Sequence, residues 1–141
     1  MKRIIALDLG TVRIGVAVTD PLGTFAQGVE CWDAASGWMG KLGELMAQYG
    51  TDRLLLGLPR KEDGTEGEMA AKVRETAGQI AKRYPQVQIR FWDERYTSRV
   101  AQLAMIEGDL SRRKRKGKVD QIAASLILQN FIDAGGAEGF R

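Results

Sequence analysis

Any fold of this chain must find a place for carboxylates that stand where the apolar pattern buries the backbone. Asp8 closes the run Arg3-Ile4-Ile5-Ala6-Leu7-Asp8, and Asp93 and Glu94 close Val87-Gln88-Ile89-Arg90-Phe91-Trp92. Asp120 shares a helical face with Ala123, Ala124, Ile127 and Phe131. A carboxylate in a dry site is costly unless it is paired, protonated or bound to a cation. One cation site shared by these distant segments is a more economical account than three separate exceptions.

The composition narrows what such a site can be. The sequence has no histidine, which excludes Ser-His-Asp and Cys-His catalysis and histidine-ligated zinc. A metal here is held by oxygen, which favours Mg²⁺ or Mn²⁺. The single cysteine, Cys31, forms no internal disulfide and leaves no zinc motif, and it reads as a small buried residue in a reducing cytoplasm. At 141 residues the chain is expected to be one domain over 1–134 with a frayed tail over 135–141. No apolar run approaches the roughly 20 residues of a membrane span. Met1-Lys2-Arg3 leads straight into a strand-like run without a signal-peptide core. The net charge is only +3, yet Arg112-Arg113-Lys114-Arg115-Lys116-Gly117-Lys118 packs six positive charges into seven residues directly before Asp120.

Residues 3–9 read as a buried strand ended by Gly10, and 12–19 alternate as a second strand paired to it in a hairpin. Asp20-Pro21-Leu22-Gly23 is a turn, and a third strand over about 25–32 completes a meander. A helix is expected over 34–49, weakened by Gly37, Gly40 and Gly43, and a buried strand over 53–58 stopped by Pro59. After a polar loop, Thr65 and Glu68 resemble a capping box for a helix with Met69, Val73, Ala77 and Ile80 inward, ending near Tyr84-Pro85. A fifth strand over 87–92, a helix over about 98–107, the basic run as a loop and a last helix over about 117–134 complete the chain. A meander followed by alternation implies an α/β fold, a mixed five-stranded sheet with helices on both faces.

Each motif has a plain structural reading beside the chemical one. Asp8 in Asp8-Leu9-Gly10-Thr11 fits either a hairpin cap or a metal ligand at a strand end. The same tetrapeptide fits the phosphate loop of actin-like ATPases, but those need a second lobe that 141 residues do not supply. Neighbours in an extended segment point to opposite faces, so one of Asp93 and Glu94 reaches the site, and alternation alone does not choose between them. The plain structural reading pairs Asp93 with Arg95, with Thr97 or Ser98 capping the next helix. Asp120 alone fits a dipole partner in a first helical turn; the small Ala123 and Ala124 on its face point instead to close approach to the sheet. The basic run fits a solvated loop, or a phosphate clamp in which Arg112, Arg113, Lys114, Arg115, Lys116 and Lys118 offset the repulsion between an acidic site and a polyanion.

These blocks together resemble the YqgF/RuvX family of RNase H-like proteins, related to the RuvC Holliday junction resolvases. The resemblance is carried by Asp8-Leu9-Gly10-Thr11 with Ile14-Gly15-Val16-Ala17-Val18, then Gly57-Leu58-Pro59 with Asp63-Gly64-Thr65-Glu66, then Asp93-Glu94-Arg95, then Lys116-Gly117-Lys118-Val119-Asp120. It implies an RNase H-like fold and a divalent-metal-dependent nuclease with Asp8, Glu94 and Asp120 as catalytic metal ligands. It further implies a nucleic-acid substrate, either the 5′ end of precursor 16S ribosomal RNA or branched DNA. Tyr96 departs from the family's more usual leucine. Ala123 stands where RuvC-type enzymes carry a further acid, leaving three acids rather than four. The competing expectation is a nucleic-acid-binding ribosome-assembly factor with a decayed site. Junction cleavage would need a homodimer and RNA trimming only a monomer.

Overall fold

The computed structural model describes residues 2–94 and 112–140, with the backbone alone over 112–120. Five strands form one sheet: β1 (Ile4–Leu9), β2 (Arg13–Thr19), β3 (Ala26–Asp33), β4 (Arg53–Leu58) and β5 (Gln88–Asp93). Their order across the sheet is β3-β2-β1-β4-β5. The β1–β2 and β2–β3 pairs are antiparallel, whereas β1–β4 and β4–β5 are parallel. The described helices are α1 (Trp38–Tyr49), α2 (Glu68–Arg83) and α3 (Arg112–Asp133).

The central strands are aliphatic at nearly every position because both of their faces are covered. Ile5, Leu7, Leu54, Leu56 and Leu58 pack on one side with Leu42 and Leu45 of α1 and with Ala70, Val73, Ala77 and Ile80 of α2. Ile4, Ala6, Ala17 and Leu55 pack on the other with Ala124, Ile127, Leu128 and Phe131 of α3. Even-numbered positions of β1 and odd-numbered positions of β4 therefore face α3. That parity decides which acids can meet.

Glycine tightens the hairpin at Gly10, whose N–H donates to the Arg13 carbonyl at 3.0 Å. It also lets α3 approach the edge strand. A Cβ at Gly28 would lie 3.0 Å from the Gln121 carbonyl oxygen, too close for any other residue without a shift. Further along α3, Gln129 Oε1 accepts from the Ala26 N–H at 2.9 Å and Gln129 Nε2 donates to the Thr24 carbonyl at 3.1 Å. The helix thus runs antiparallel to β3. Its residues before Gln121 head for the end of the sheet at which β1 and β4 terminate.

Several expectations give way to local chemistry. Helix α1 begins at Trp38, not at 34, because the Asp33 carboxylate takes the Ala35 N–H at 2.8 Å and Gly37 turns the chain at φ 59°. The Thr65–Glu68 capping box does not form. Asp63 Oδ1 accepts from both the Thr65 N–H (3.0 Å) and the Thr65 hydroxyl (2.6 Å), so α2 starts after Gly67 without a side-chain cap. Met69, expected inward, is 39% exposed, and Ala70 takes the buried position. The basic run is not a loop: residues 112–118 form the opening turns of α3. Arginine and lysine are good helix formers, and the lone Gly117 costs only about 1 kcal/mol. The segment after 135 is not frayed, since Gly136–Phe140 form a 3-10 turn with Phe140 buried edge-on against Phe131. The helix expected at 98–107, and Arg95, Tyr96, Thr97 and Ser98, lie outside the described residues.

Candidate active site

Asp8 is the penultimate residue of β1 and is paired in register with Gly15 of β2. On its other side the parallel register sets Leu7 beside Leu56, so the next position of β4 is Gly57. Asp8 is therefore flanked by glycines on both neighbouring strands. The sheet around its carboxylate is bare on the α3 face.

Glu94 follows directly on β5, whose last residue Asp93 is in register with Leu58. Trp92 packs into the α3-side core, and Glu94, two residues on, shares that face. Its side chain lies across Gly57. A Cβ there would stand 2.5 Å from Glu94 Oε1 and 2.8 Å from Ile127 Cδ1. Glycine at 57 is thus a condition for Glu94 to lie over the sheet beneath α3. An isolated glycine inside the otherwise aliphatic run Leu54–Leu58 was the sequence signal for such a close approach, and sequence reasoning did not single it out as part of the site.

Asp8 and Glu94 meet. The Glu94 carboxyl is pushed up from 4.5 to about 8, first by burial, then by its hydrogen bond with Asp8, and then by the negative charges of Asp8 and Asp93. Two half-buried carboxyls this close resist ionising together, and a shared proton or a bound cation relieves the repulsion.

Asp93 turns the other way. Its Oδ2 stands 4.0 Å from Arg60 Nε at the end of β4, and its side chain is 11% exposed. The segment that carries Arg60 is itself braced. Arg60 and Glu66 form an isolated bridge, and Arg74 of α2 holds the Glu66 carboxylate through Nε at 2.6 Å and Nη2 at 2.8 Å. This brace did not figure in the sequence reading. Parity against β4 sets Glu94 on the face of Asp8 and Asp93 on the opposite face.

Asp120 belongs to the α3 backbone just before the crossing at Gly28, one turn ahead of the buried Ala123 and Ala124. Its side chain, and those of Arg112, Arg113, Lys114, Arg115, Lys116 and Lys118, lie outside the described residues. The backbone that carries them leads to the end of the sheet where Asp8 and Glu94 meet. Among the described residues no three acidic or cysteine side chains form a metal-ligand group.

Comparison with known proteins adds sequence and fold relatives. The family model RuvX, described as Holliday junction resolvase, matches residues 2–134. A protein of Bacillus pumilus named "Putative pre-16S rRNA nuclease" is 40% identical over 136 residues, covering 94% of this chain and 98% of its own. A protein of the same name from Clostridium perfringens is 43% identical over 133 residues, covering 93% and 96%. Among solved structures, Thermus thermophilus RuvC in complex with Holliday junction substrate superposes with a TM-score of 0.53 at 13% identity, covering 96% of this chain and 97% of that one. The Fowlpox virus resolvase in its Holliday junction DNA complex gives 0.57 at 14%, covering 94% and 97%. At such identities the structural likeness speaks for the fold alone, which is the RNase H-like fold of the resolvases.

Proposed function

The chain belongs to the RuvX family, and from that premise and the geometry of its acids we propose that it is a metal-dependent endonuclease that hydrolyses phosphodiesters in nucleic acid. The observation that carries this is the Asp8–Glu94 pair: two carboxyls hydrogen-bonded to each other, with the Glu94 side chain lying over Gly57. Such a donor set fits an oxygen-preferring divalent cation, and Mg²⁺ or Mn²⁺ is the match. Asp8 and Glu94 would supply ligand oxygens, and Asp120, carried by α3, would supply the third. When bound, such a cation lowers the pKa of water and offsets charge on the phosphate and leaving oxygen.

The chain's own residues do the rest. Glu94 would have to give up its proton to hold a cation, so binding would be favoured as pH rises. Gly57 leaves room for Glu94 to lie over the sheet beside Asp8. Ile127 and Trp92 exclude bulk water from the α3 side. Arg60 holds Asp93 away from the site and so fixes the chain direction into Glu94. The basic opening turns of α3, Arg112 to Lys118, bind backbone phosphates without reading bases. The relatives at about 40% identity weigh toward precursor 16S ribosomal RNA rather than branched DNA as the substrate. The single cysteine suits a reducing cytoplasm.

The test is cleavage of a precursor 16S ribosomal RNA and of a four-way DNA junction side by side, with Mg²⁺ and with Mn²⁺. Asp8→Asn and Asp120→Asn are expected to abolish cleavage and to retain or tighten nucleic-acid binding, because a negative charge near phosphate has gone. Wild-type protein that binds RNA and cuts neither substrate with either metal would favour a ribosome-assembly factor with a decayed site.

A further inference from the structure

The end of the sheet that carries Asp8 has a second feature on its opposite face. Between the β1–β2 turn and the first half of α2 lies a cleft of about 270 Å³, with Leu9 and Thr11 on one side and Met69, Lys72, Val73 and Thr76 on the other. Leu9 follows Asp8 in the chain, and neighbours in a strand point to opposite faces. The cleft therefore begins one residue from the metal-binding acid and around the edge of the sheet from it.

Its lining is chemically divided. Leu9, Met69 and Val73 are apolar. Thr11 and Thr76 carry hydroxyls, and Lys72 a positive charge. Among the described residues no carboxylate pairs with Lys72. Met69 is 39% exposed, and Val12, next to Thr11, is 66% exposed. Scattered exposed aliphatics are ordinary, but Met69 lines a cleft whose lysine meets no carboxylate among the described residues. A nucleotide is divided in the same way, an apolar base and sugar joined to an anionic phosphate. The volume falls just below the roughly 300 Å³ at which small-molecule pockets begin. That limits the occupant to no more than about one nucleotide unit.

We propose that this cleft holds the unpaired nucleotide next to the scissile phosphate, its base and sugar against Leu9, Met69 and Val73 and its phosphate on Lys72 and Thr11. The choice of ligand rests on the nuclease reading. The strand would round the end of β1, with the phosphate to be cut at Asp8 and Glu94 and its neighbour lodged on the α2 side. The preferred substrate is then one in which the cut lies beside a single-stranded nucleotide, and a continuous duplex is disfavoured.

The test separates binding from cleavage. Fluorescein-labelled single-stranded oligoribonucleotides of about eight nucleotides, and the matching duplex, are titrated without divalent metal against wild type, Lys72→Gln, Lys72→Arg and Met69→Ala. Lys72→Gln is expected to weaken single-strand binding about three- to tenfold, the loss of roughly one phosphate contact. Lys72→Arg should bind like wild type, and the duplex should bind less tightly than the single strand. A 5-iodouridine in the oligomer should crosslink to peptides spanning 9–12 or 69–76. In cleavage, Lys72→Gln should raise KM and leave kcat unchanged. Single-strand affinities of Lys72→Gln and Met69→Ala within twofold of wild type, with crosslinks only to α3, would overturn the proposal. Cleft binding with no metal-dependent cleavage would instead count against the nuclease reading, supporting the cleft as a single-strand site and overturning its place beside a scissile phosphate.

Discussion

A carboxyl buried beside a second carboxyl keeps its proton until something better than a proton arrives. For Glu94 this has a pH signature. The unfolded chain releases the Glu94 proton near 4.5 and the folded protein near 8, so between those values the folded state binds the extra proton. The stabilising contribution is complete below the unfolded value and is lost as pH rises through the folded one. The metal-free protein is therefore expected to melt at progressively lower temperature from about pH 5 to about pH 8.5, an effect on the order of a few kcal/mol. Glu94→Gln should flatten that dependence, and Mg²⁺ or Mn²⁺ should restore the wild-type melting temperature at the alkaline end. Thermal melts across that pH range, with and without metal, check all three. At the same scale Glu94→Gln is expected to remove cleavage while keeping stability level or higher near neutral pH. Asp93→Asn should retain substantial activity and lose on the order of 1 kcal/mol, because it gives up the Arg60 partner on the other face. Gly57→Ala sets a methyl 2.5 Å from Glu94 Oε1. It should cost about 1–3 kcal/mol as an overpacking change, and by displacing Glu94 it should lower kcat by more than tenfold. A melting curve and a cleavage rate for each variant decide these points.

At the scale of elements, the sheet was legible because its strands obey simple patterning. The aliphatic runs at 4–7 and 54–56 announce strands covered on both faces, the alternation at 14, 16 and 18 announces the hairpin partner, and Pro59 stops β4. What was not legible had a local cause each time. Asp63 competes for Thr65 and removes the expected cap of α2. The basic run reads as a loop when charge density is taken as the signal, although arginine and lysine are among the better helix formers. Its placement on α3 sets the basic residues close together along one helix. Neutralising Arg112, Arg113, Lys114 and Arg115 is accordingly expected to weaken binding to all sequences alike. The salt dependence should flatten by up to about 0.9 in slope per lost phosphate contact on duplex DNA and about 0.7 on a single strand. Affinity measured against salt for the wild type and the fourfold variant checks this; unchanged slopes would make the run a solvated helix end.

At the scale of the molecule, two cores share one sheet, and the candidate site forms where the α3-side core opens at the ends of β1 and β5. Phe140 closes the far end of that core, edge-on to Phe131 and under the guanidinium groups of Arg53 and Arg90. A short polar stretch with three glycines gave no periodicity from which such docking could be read. Phe140→Ala is expected to cost about 3–5 kcal/mol, a loss visible as an early denaturant midpoint. The three acids were legible one by one as oddities in apolar segments. That Asp8 and Glu94 converge follows only from strand order and register, which put β4 and its Gly57 between them. The central claim is that these carboxyls and Asp120 hold one divalent cation site. Titration of the protein with Mn²⁺, followed by the loss of free-ion paramagnetic signal, tests it most directly. Wild type and Asp93→Asn should bind with similar affinity, and Asp8→Asn, Glu94→Gln and Asp120→Asn should each bind at least tenfold more weakly. Equal Mn²⁺ affinity in all five proteins would contradict the account.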